Sequence, residues 1–342
     1  MMRIGDGSQD DSGGRATGLD LHLHSNISDG VLSDIGLVDL VRQSGVGVAA
    51  ITDHDSIGAA HDQALVQHLS RLGARAPQIV PGVEIGVWLD QPVRPGYWQE
   101  AHIVGLGCDP ANPKLRAALI RQRLSRYARV RACVERLRAD GFALSFADVG
   151  FTAGLQAPTS WHIGKALADR GYAKDPDTAS RELVTPRYPS PAEMPEAPIL
   201  GSREAIQRIR AAGGVAVLAH PHRNAPAADP QAITDLFAKL KAEGLDAVET
   251  YRVDLPADHR PLYEAAARTA GLLTSGGTDF HGAGENPPKK RPGDAGAPAS
   301  LWPPLEQLIR ARGGITDVRQ VRLPLAPQAG AAERMLFAQH KR

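Results

Sequence analysis

The feature that most constrains the fold is a series of short apolar runs, separated in several places by helical patterns. We predict seven β-strands in these runs. Two of the intervening helices have a Ser or Asp at the start and a Gly at the end, as helix termini prefer. Strands that alternate with helices favour parallel βα units. The chain is therefore expected to adopt an α/β fold, and a barrel rather than an open sheet if the sheet closes.

Histidines and carboxylates lie at the ends of these predicted strands. The first strand, LDLHLH, ends in His22 and His24, and Asp29 follows after a short polar turn. Residues two apart on a strand share a face, so His22 and His24 can bind one ion together. The later strands carry further side chains of the same two kinds: His54, Glu84, His102, His220, Asp279 and His281.

We predict that these side chains meet at one rim, because the C-terminal strand ends of a (β/α) barrel face a single site. Neutral imidazoles and carboxylates are the ligand set for Zn, Mn or Fe. So dense a cluster would be costly to bury without metal, since unpaired polar groups and like charges would converge. His102 has a simpler alternative, because it opens its predicted strand and would also fit a core position. Asp20 and Asp53 are expected to orient ligands from behind.

The strand pattern breaks in the middle of the chain. Residues 111–199 are largely helical or irregular, with a long Arg-rich amphipathic helix and a Pro-rich connector. We predict a barrel formed by residues 18–110 and 200–285, interrupted by this inserted helical subdomain. The Gly-, Ser- and Asp-rich residues 1–17 are predicted to be a disordered leader, and residues 286–342 a C-terminal extension.

Composition narrows the classes of function. The 342 residues carry a formal net charge of +1, so no overall field points to duplex nucleic acid or to a membrane surface. The sequence has no run of 18 apolar residues and no signal peptide, and two cysteines cannot build a disulfide framework in a chain this long. We therefore expect a cytoplasmic protein with a small ligand.

Six motifs, taken in order, resemble those of the polymerase and histidinol phosphatase (PHP) family: DLHLHSNISDG, ITDHDS, GVEI, HIVGLG, AGGVAVLAHP and GGTDFHG. The resemblance implies a distorted seven-stranded (β/α) barrel with up to three metal ions. It assigns the ions to three sets of ligands: His22, His24, Glu84 and Asp279; Glu84, His102 and His220; and Asp29, His54 and His281.

The inserted helices are similar to those of one branch of this family, which includes 3′,5′-nucleoside bisphosphate phosphatases and a related 5′–3′ exoribonuclease. Several segments depart from that branch. TSWHIGKA lacks an Arg-Pro pair, AHPHRN replaces AHPGRY, and Arg252 and Leu255 stand where the branch has two histidines. The segment between Glu84 and His102 is also longer than usual. The departures therefore concern the loops that face the substrate, and they leave the exact substrate open.

The resemblance implies a metal-dependent phosphatase or phosphodiesterase that acts on a small phosphorylated substrate, a nucleotide by the branch similarity. The expected reaction is hydrolysis of a phosphate ester by a hydroxide that bridges two ions. Glu84, as the bridging ligand, and Asp279 are the residues closest to this chemistry.

Candidates for substrate binding come from two places. Arg223 lies just beyond the predicted ligand His220, and a guanidinium fork suits bidentate contact with phosphate. Arg126, Arg129 and His162 of the insertion are the next candidates, although a solvated helix face is the alternative for the two arginines. His222 is a candidate general acid for the leaving group, as is a metal-bound water.

Two other classes of protein stay open. An amidohydrolase-type barrel also begins with His-x-His, but it commonly bridges two metals with a lysine at the fourth strand, where this chain has His102. Asp29, His54 and His281 would also have no task there. The second class is a non-catalytic, metal-stabilised PHP module, against which the complete ligand set argues. Metal identity and oligomeric state stay open as well.

Overall fold

The computed structural model describes residues 18–150, 156–282 and 290–322. The predicted leader, residues 1–17, and parts of the predicted C-terminal extension lie outside the described residues. Within the described ranges, no helix has both the length and the apolar character needed to cross a membrane.

Nine strands in the described residues form one mixed sheet. They are β1 (Gly18–Leu23), β2 (Val46–Ile51), β3 (Gln78–Trp88), β4 (Glu100–Leu106), β5 (Leu200–Gly201), β6 (Val215–Leu218), β7 (Ala247–Tyr251), β8 (Leu273–Gly276) and β9 (Ala297–Pro298). Their spatial order is β8-β7-β6-β4-β3-β2-β1-β9, with β5 paired to β3. Seven of these strands correspond to the seven predicted ones, and β5 and β9 are additional two-residue strands.

The sheet is nearly closed, because β1 meets the segment that follows β8. The amide of His24 donates to the carbonyl of Phe280, and the amide of Asp279 donates to the carbonyl of His22, both at 2.9 Å. A parallel bridge also joins Leu23 to Phe280. The first and last motifs of the predicted site are therefore adjacent, and the prediction of a barrel-shaped α/β fold is confirmed.

One strand does not follow the predicted parallel arrangement. β4 pairs antiparallel with both β3 and β6, whereas β2 is parallel to β1 and β3, and β7 is parallel to β6 and β8. The reason is that β3 and β4 are joined by a hairpin loop, residues 89–99, instead of a helix. The start of β4 therefore lies at the rim where the parallel strands end, so His102 reaches that rim from the beginning of its strand.

Nine α-helices accompany the sheet in the described residues. They are α1 (Asp34–Gln43), α2 (Gln63–Leu72), α3 (Pro113–Ala139), α4 (Ser160–Asp169), α5 (Pro176–Ala179), α6 (Ser202–Ala211), α7 (Pro230–Glu243), α8 (Arg260–Ala270) and α9 (Trp302–Ala311). Side chains at the N-cap satisfy free backbone amides: Ser33 caps α1, Asp62 caps α2, Asn112 caps α3 and Asp229 caps α7.

The buried apolar residues form three clusters, which hold the fold together by removing apolar surface from water. The first joins the strands to α1, α2 and α6–α8, and the second joins β1, β4 and β6 to α9. The third lies within the predicted insertion, where Val130, Cys133 and Leu137 of α3 pack against Ile163 and Leu167 of α4. The insertion therefore has apolar packing of its own, although its boundaries stay a prediction.

Candidate metal centre

The predicted ligands converge at the rim where the parallel strands end. Three groups of ligand atoms each lie within 4.8 Å of one another: His22, His24, Glu84 and Asp279; His24, Asp29, His54 and His281; and His54, Glu84 and His102. Neighbouring groups share His24, His54 or Glu84, so the three groups form one continuous cluster.

Glu84 is the central residue of this cluster. Ring nitrogens of five histidines lie between 2.7 and 3.4 Å from its carboxylate oxygens: those of His22, His24, His54, His102 and His220. His220 is the one predicted ligand outside the three groups, and its Nε2 still lies 3.2 Å from Nδ1 of His102. The structure thus brings together all nine predicted ligands.

The backbone is strained where it delivers these side chains. In the described part of the chain, three residues other than glycine have a positive φ: Asp55 at 51°, His220 at 31° and Asp279 at 56°. Each is a predicted ligand or the neighbour of one. Left-handed backbone at residues other than Gly costs about 1–3 kcal/mol and persists where the surrounding structure enforces it, which is common at functional sites.

Carboxylates behind the cluster hold the ligands and their loops in place. Glu249 in β7 lies 2.7 Å from Nδ1 of His22 and accepts the amide of His220 at 2.8 Å. Asp20 and Asp53, which we expected to orient ligands, act through loops: Asp20 accepts the amide and hydroxyl of Thr278, the residue before Asp279. Asp53 accepts the amides and hydroxyls of two serines that flank the turn after β1, Ser25 and Ser28.

Sequence reasoning gave no role to Arg252, which the structure places against the cluster. Its side chain is fully buried and binds three carboxylates: Glu249 at 2.6 Å, Asp254 at 2.7 and 3.0 Å, and Asp279 at 3.2 Å. The one available signal was its departure from the two-histidine pattern of the branch. The surrounding negative charge outweighs burial and raises the pKa of Arg252 well above its ordinary value, so this residue stays cationic.

The candidates for substrate binding differ in their surroundings. Arg223 is 47% exposed, and its Nη2 lies 3.6 Å from Asp254 and 3.7 Å from Asp279. His222 also faces Asp254, with Nε2 at 3.7 Å. The structure therefore brings Arg223 and His222 to the edge of the cluster, with Arg223 open to solvent.

The three candidates from the insertion are largely engaged within the protein. Arg126 is buried and donates from Nε and Nη2 to the carboxylate of Asp55, both at 2.9 Å. Arg129 is also buried and lies over the ring of Tyr188, 5.2 Å from its centre. Their alternative interpretation as a solvated helix face is therefore wrong. His162 accepts the amide of Thr159 at 3.1 Å and so caps its own helix.

The charges of the cluster compensate one another. Burial would raise the pKa values of Asp29, Glu84 and Asp279, but the surrounding histidines outweigh it and hold those pKa values well below the ordinary range. Burial would lower the pKa of His22, yet Glu249, Glu84 and Asp279 raise it to about 10. The carboxylates therefore stay ionised at neutral pH, which is the form that binds cations.

The cluster fits divalent ions. Two buried ring nitrogens, Nδ1 of His54 and Nδ1 of His220, make no hydrogen bond, the first although it lies 3.1 Å from Glu84, and buried polar groups are normally satisfied. The donors are imidazole nitrogens and carboxylate oxygens, a set suited to Zn, Mn or Fe. The cluster therefore has the donor chemistry of a divalent-metal centre.

Known proteins resemble the chain over most of its length. A 3′,5′-nucleoside bisphosphate phosphatase from Chromobacterium violaceum is 32% identical over 269 residues, which cover 78% of this chain and 88% of that protein. The 5′–3′ exoribonuclease Rnm from Salmonella typhimurium is 33% identical over 265 residues, which cover 77% and 84%. A solved protein from Bifidobacterium adolescentis, described as a metal-dependent phosphoesterase, is 26% identical with a TM-score of 0.71 and coverage of 87% and 96%. No protein-family model matches the chain.

A nearly closed α/β barrel with this cluster at its rim, in a chain with these relatives, is a metal-dependent phosphoesterase. Divalent metal ions are its cofactors. The chain belongs to the PHP family, as its motifs predicted.

Proposed function

We propose that the protein hydrolyses a phosphate ester of a small nucleotide, either a nucleoside 3′,5′-bisphosphate or a short 5′-phosphorylated oligonucleotide. The names of its relatives support this substrate class. The observation that carries the proposal is the position of Arg223, a half-exposed guanidinium 3.7 Å from Asp279 at the edge of the metal cluster. A cation open to solvent beside a metal centre suits a phosphate that enters from outside.

Up to three divalent ions would be held by the nine predicted ligands, and Mn, Fe and Zn all suit their donor atoms. When bound, the ions would lower the pKa of a water and stabilise charge on the phosphoryl oxygens. Glu84 and Asp279 would be the central ligands, and Arg252 and Glu249 would keep Asp279 and His22 in place.

The remaining steps belong to side chains at the rim. Arg223 would bind the phosphate and fix its orientation. His222 would act as general acid for the leaving group, with its Nε2 3.7 Å from the carboxylate of Asp254. Arg126, Arg129 and His162 would line the approach from the insertion.

We also propose that the described part of the insertion, residues 111–150 and 156–199, forms a cap over the rim of the barrel. α3 reaches it through Arg123, which donates to the carbonyl of Asp55 at 2.8 Å, and through Arg126. The amide of Ala157 donates to the carbonyl of Ile27 in the turn after β1. The cytoplasmic location stays a prediction.

A hydrolysis screen with added Mn tests the substrate class, and it follows released phosphate for the monoesters and released mononucleotides for the oligonucleotides. It compares nucleoside 3′,5′-bisphosphates, short 5′-phosphorylated oligonucleotides, sugar phosphates and an aryl phosphate, with metal content measured on the same sample. We expect release from the nucleotides to exceed release from the sugar phosphates. Release from sugar phosphates alone would overturn the nucleotide assignment, and metal-loaded protein that hydrolyses none of these esters would overturn the proposed function.

A further inference from the structure

The hairpin loop of residues 89–99 is fixed to the barrel, although most of its residues are polar, Gly or Pro. Arg94 donates to Asp235 at 2.8 Å, and Tyr97 donates to Asp229 at 3.3 Å, so α7 holds the loop on one side. Asn224 donates to the carbonyl of Trp98 at 3.1 Å and to that of Glu100 at 2.8 Å. These contacts hold the loop in one position beside the rim.

Trp98 stands in solvent on this anchored loop. It is 62% exposed, the largest value for any large apolar side chain in the described residues. Its backbone is held by Asn224, which is itself buried and directly follows Arg223. A fixed backbone with an exposed indole presents an aromatic surface from a defined position on the loop, which is a common recognition element.

Trp98 precedes β4 by two residues, on the arm of the hairpin that leads to His102. The amide of Leu89 donates to the carbonyl of Gln99 at 2.9 Å, so the β3–β4 ladder continues beyond Glu100. Alternation along this extension puts Trp98, Glu100 and His102 on one face. At the rise of a β-strand, the Cα atoms of Trp98 and His102 are about 13 Å apart.

We propose that Trp98 stacks on an unpaired nucleobase of the substrate while its phosphate is bound at Arg223 and the metal cluster. The inference rests on the proposed function and adds a base subsite to it. A base at this distance from the reacting phosphate belongs to a bisphosphate or to a neighbouring nucleotide of an oligonucleotide. Stacking on an aromatic side chain strengthens binding roughly five- to a hundredfold per base and tolerates any base.

The test compares Trp98→Ala and Trp98→Phe with the wild type on three substrates: a nucleoside 3′,5′-bisphosphate, a 5′-phosphorylated oligonucleotide and ribose 5-phosphate, which has no base. We expect Trp98→Ala to raise KM about tenfold for one or both nucleotide substrates, with kcat little changed, and to leave ribose 5-phosphate unaffected. Trp98→Phe should restore most of the loss. The substrate that responds identifies the source of the base. Leu262→Ala, at an exposed apolar position on α8, is the matched control.

Two results would overturn this inference. Equal KM values for wild type and Trp98→Ala on both nucleotides would exclude stacking, and an equal loss on ribose 5-phosphate would make Trp98 a structural residue. A binding measurement tests the base subsite even if the protein hydrolyses none of these esters. Nucleotide is added to chelator-treated protein, and its binding is measured by the quenching of Trp fluorescence. Quenching by the bisphosphate should then be present in the wild type and reduced in Trp98→Phe, and equal quenching would count against the subsite.

A second inference comes from Arg252 and is independent of the substrate. Arg252 donates a hydrogen bond to Oδ2 of Asp279 at 3.2 Å. The other oxygen, Oδ1, lies 3.4 Å from Nε2 of His22 and 3.3 Å from Nε2 of His24. We infer that Arg252 is a positioning residue. It binds Oδ2 of Asp279 and thereby orients the carboxylate so that Oδ1 alone faces the metal ligands. It also joins this carboxylate to Glu249, the partner of His22.

Calorimetric titration of chelator-treated protein with Mn tests this role. We expect Arg252→Met to weaken Mn binding about tenfold or more at one site, because removal of a ligand-orienting partner has effects of this size. Arg252→Lys keeps the positive charge but lacks the bidentate guanidinium, so it should lose less Mn affinity than Arg252→Met. Mn affinities equal to wild type in both variants would overturn the inference. If Arg252→Met does not fold, Arg252→Lys decides alone, and wild-type affinity there would assign Arg252 a structural role only.

Discussion

The two ends of the barrel bury charged groups in different ways. At the end opposite the rim, Asp246 accepts four hydrogen bonds: two from Arg312 at 2.7 Å, one from Arg210 at 2.9 Å and one from the amide of Ala216 at 3.0 Å. At the rim, ring nitrogens of five histidines surround Glu84, and Nδ1 of the buried His220 has no hydrogen-bond partner.

This difference distinguishes a structural network from a ligand site. The network around Asp246 is complete in the chain alone, and it ties α6 and α9 to the start of β7. The cluster around Glu84 contains buried ring nitrogens that make no hydrogen bond, and its backbone is strained at His220 and Asp279. Buried ring nitrogens without a hydrogen-bond partner are costly, so their presence among the clustered imidazoles and carboxylates at the rim indicates that this end is completed by a ligand.

Asp279→Asn should produce the largest effect, and it should fall on activity. Removing the charge of this proposed metal ligand is expected to lower kcat/KM about a thousandfold, equivalent to about 4 kcal/mol, because a bound metal would stabilise the transition-state charge. Phosphate release and metal content would be measured together, with circular dichroism to check the fold. Full activity in this variant would contradict the placement of the metal centre.

Asp246→Asn should reverse the pattern, with the effect on stability. Removing the charge of the buried carboxylate weakens its charged hydrogen bonds to the partly exposed Arg312 and Arg210, which is expected to lower the free energy of unfolding by about 2–3 kcal/mol. Urea denaturation would measure this loss, and kcat at 25 °C should stay near that of the wild type. If Asp246→Asn instead loses activity while keeping its stability, the contrast between the two ends fails.

Asp34 extends the comparison to pH. Burial, and then the negative charge of Asp53, raise the pKa of Asp34 to about 7, and its Oδ1 has no hydrogen-bond partner. The folded state therefore holds a proton that the unfolded state has released above about pH 4, and stability falls as the pH rises from about 4 to about 7. The first turn of a helix favours an anion, which limits the expected change to about 2 kcal/mol.

Urea denaturation of chelator-treated wild type and Asp34→Asn at pH 4 and pH 8 measures this contribution. The variant cannot titrate at this position, so its stability relative to wild type should rise across that interval. Parallel pH profiles for the two proteins would show that Asp34 titrates with an ordinary pKa.

Arg223→Ala should give the smallest effect of the four. Its guanidinium is half exposed, so its contact with phosphate is expected to contribute about tenfold in kcat/KM, or roughly 1.4 kcal/mol, with little change in stability. Arg223→Lys keeps the positive charge, so its kcat/KM shows how much the bidentate guanidinium contact contributes beyond that charge. Unchanged kinetics in Arg223→Ala would remove the observation that carries the proposed substrate.

The sequence was informative where the relevant pattern is local. His22 and His24 lie two residues apart on a strand, and His54, His220 and Asp279 each follow an apolar run within a few residues. Periodicity and residue type alone therefore identified the side chains that the structure gathers around Glu84. Arg252 gave no such signal, because its role depends on Asp279, 27 residues away, as well as on its near neighbours.

By itself, the sequence determined which side chains carry metal-binding chemistry and that they stand at strand ends, since both follow from residue type and short-range periodicity. The tertiary structure alone decided the reversed direction of β4, the burial of Arg126 against Asp55 and the exposure of Trp98 beside the rim. These properties depend on hydrogen bonds and packing between segments that are distant in the chain. Burial and charge pairing are set by the assembled fold, and local sequence does not encode them.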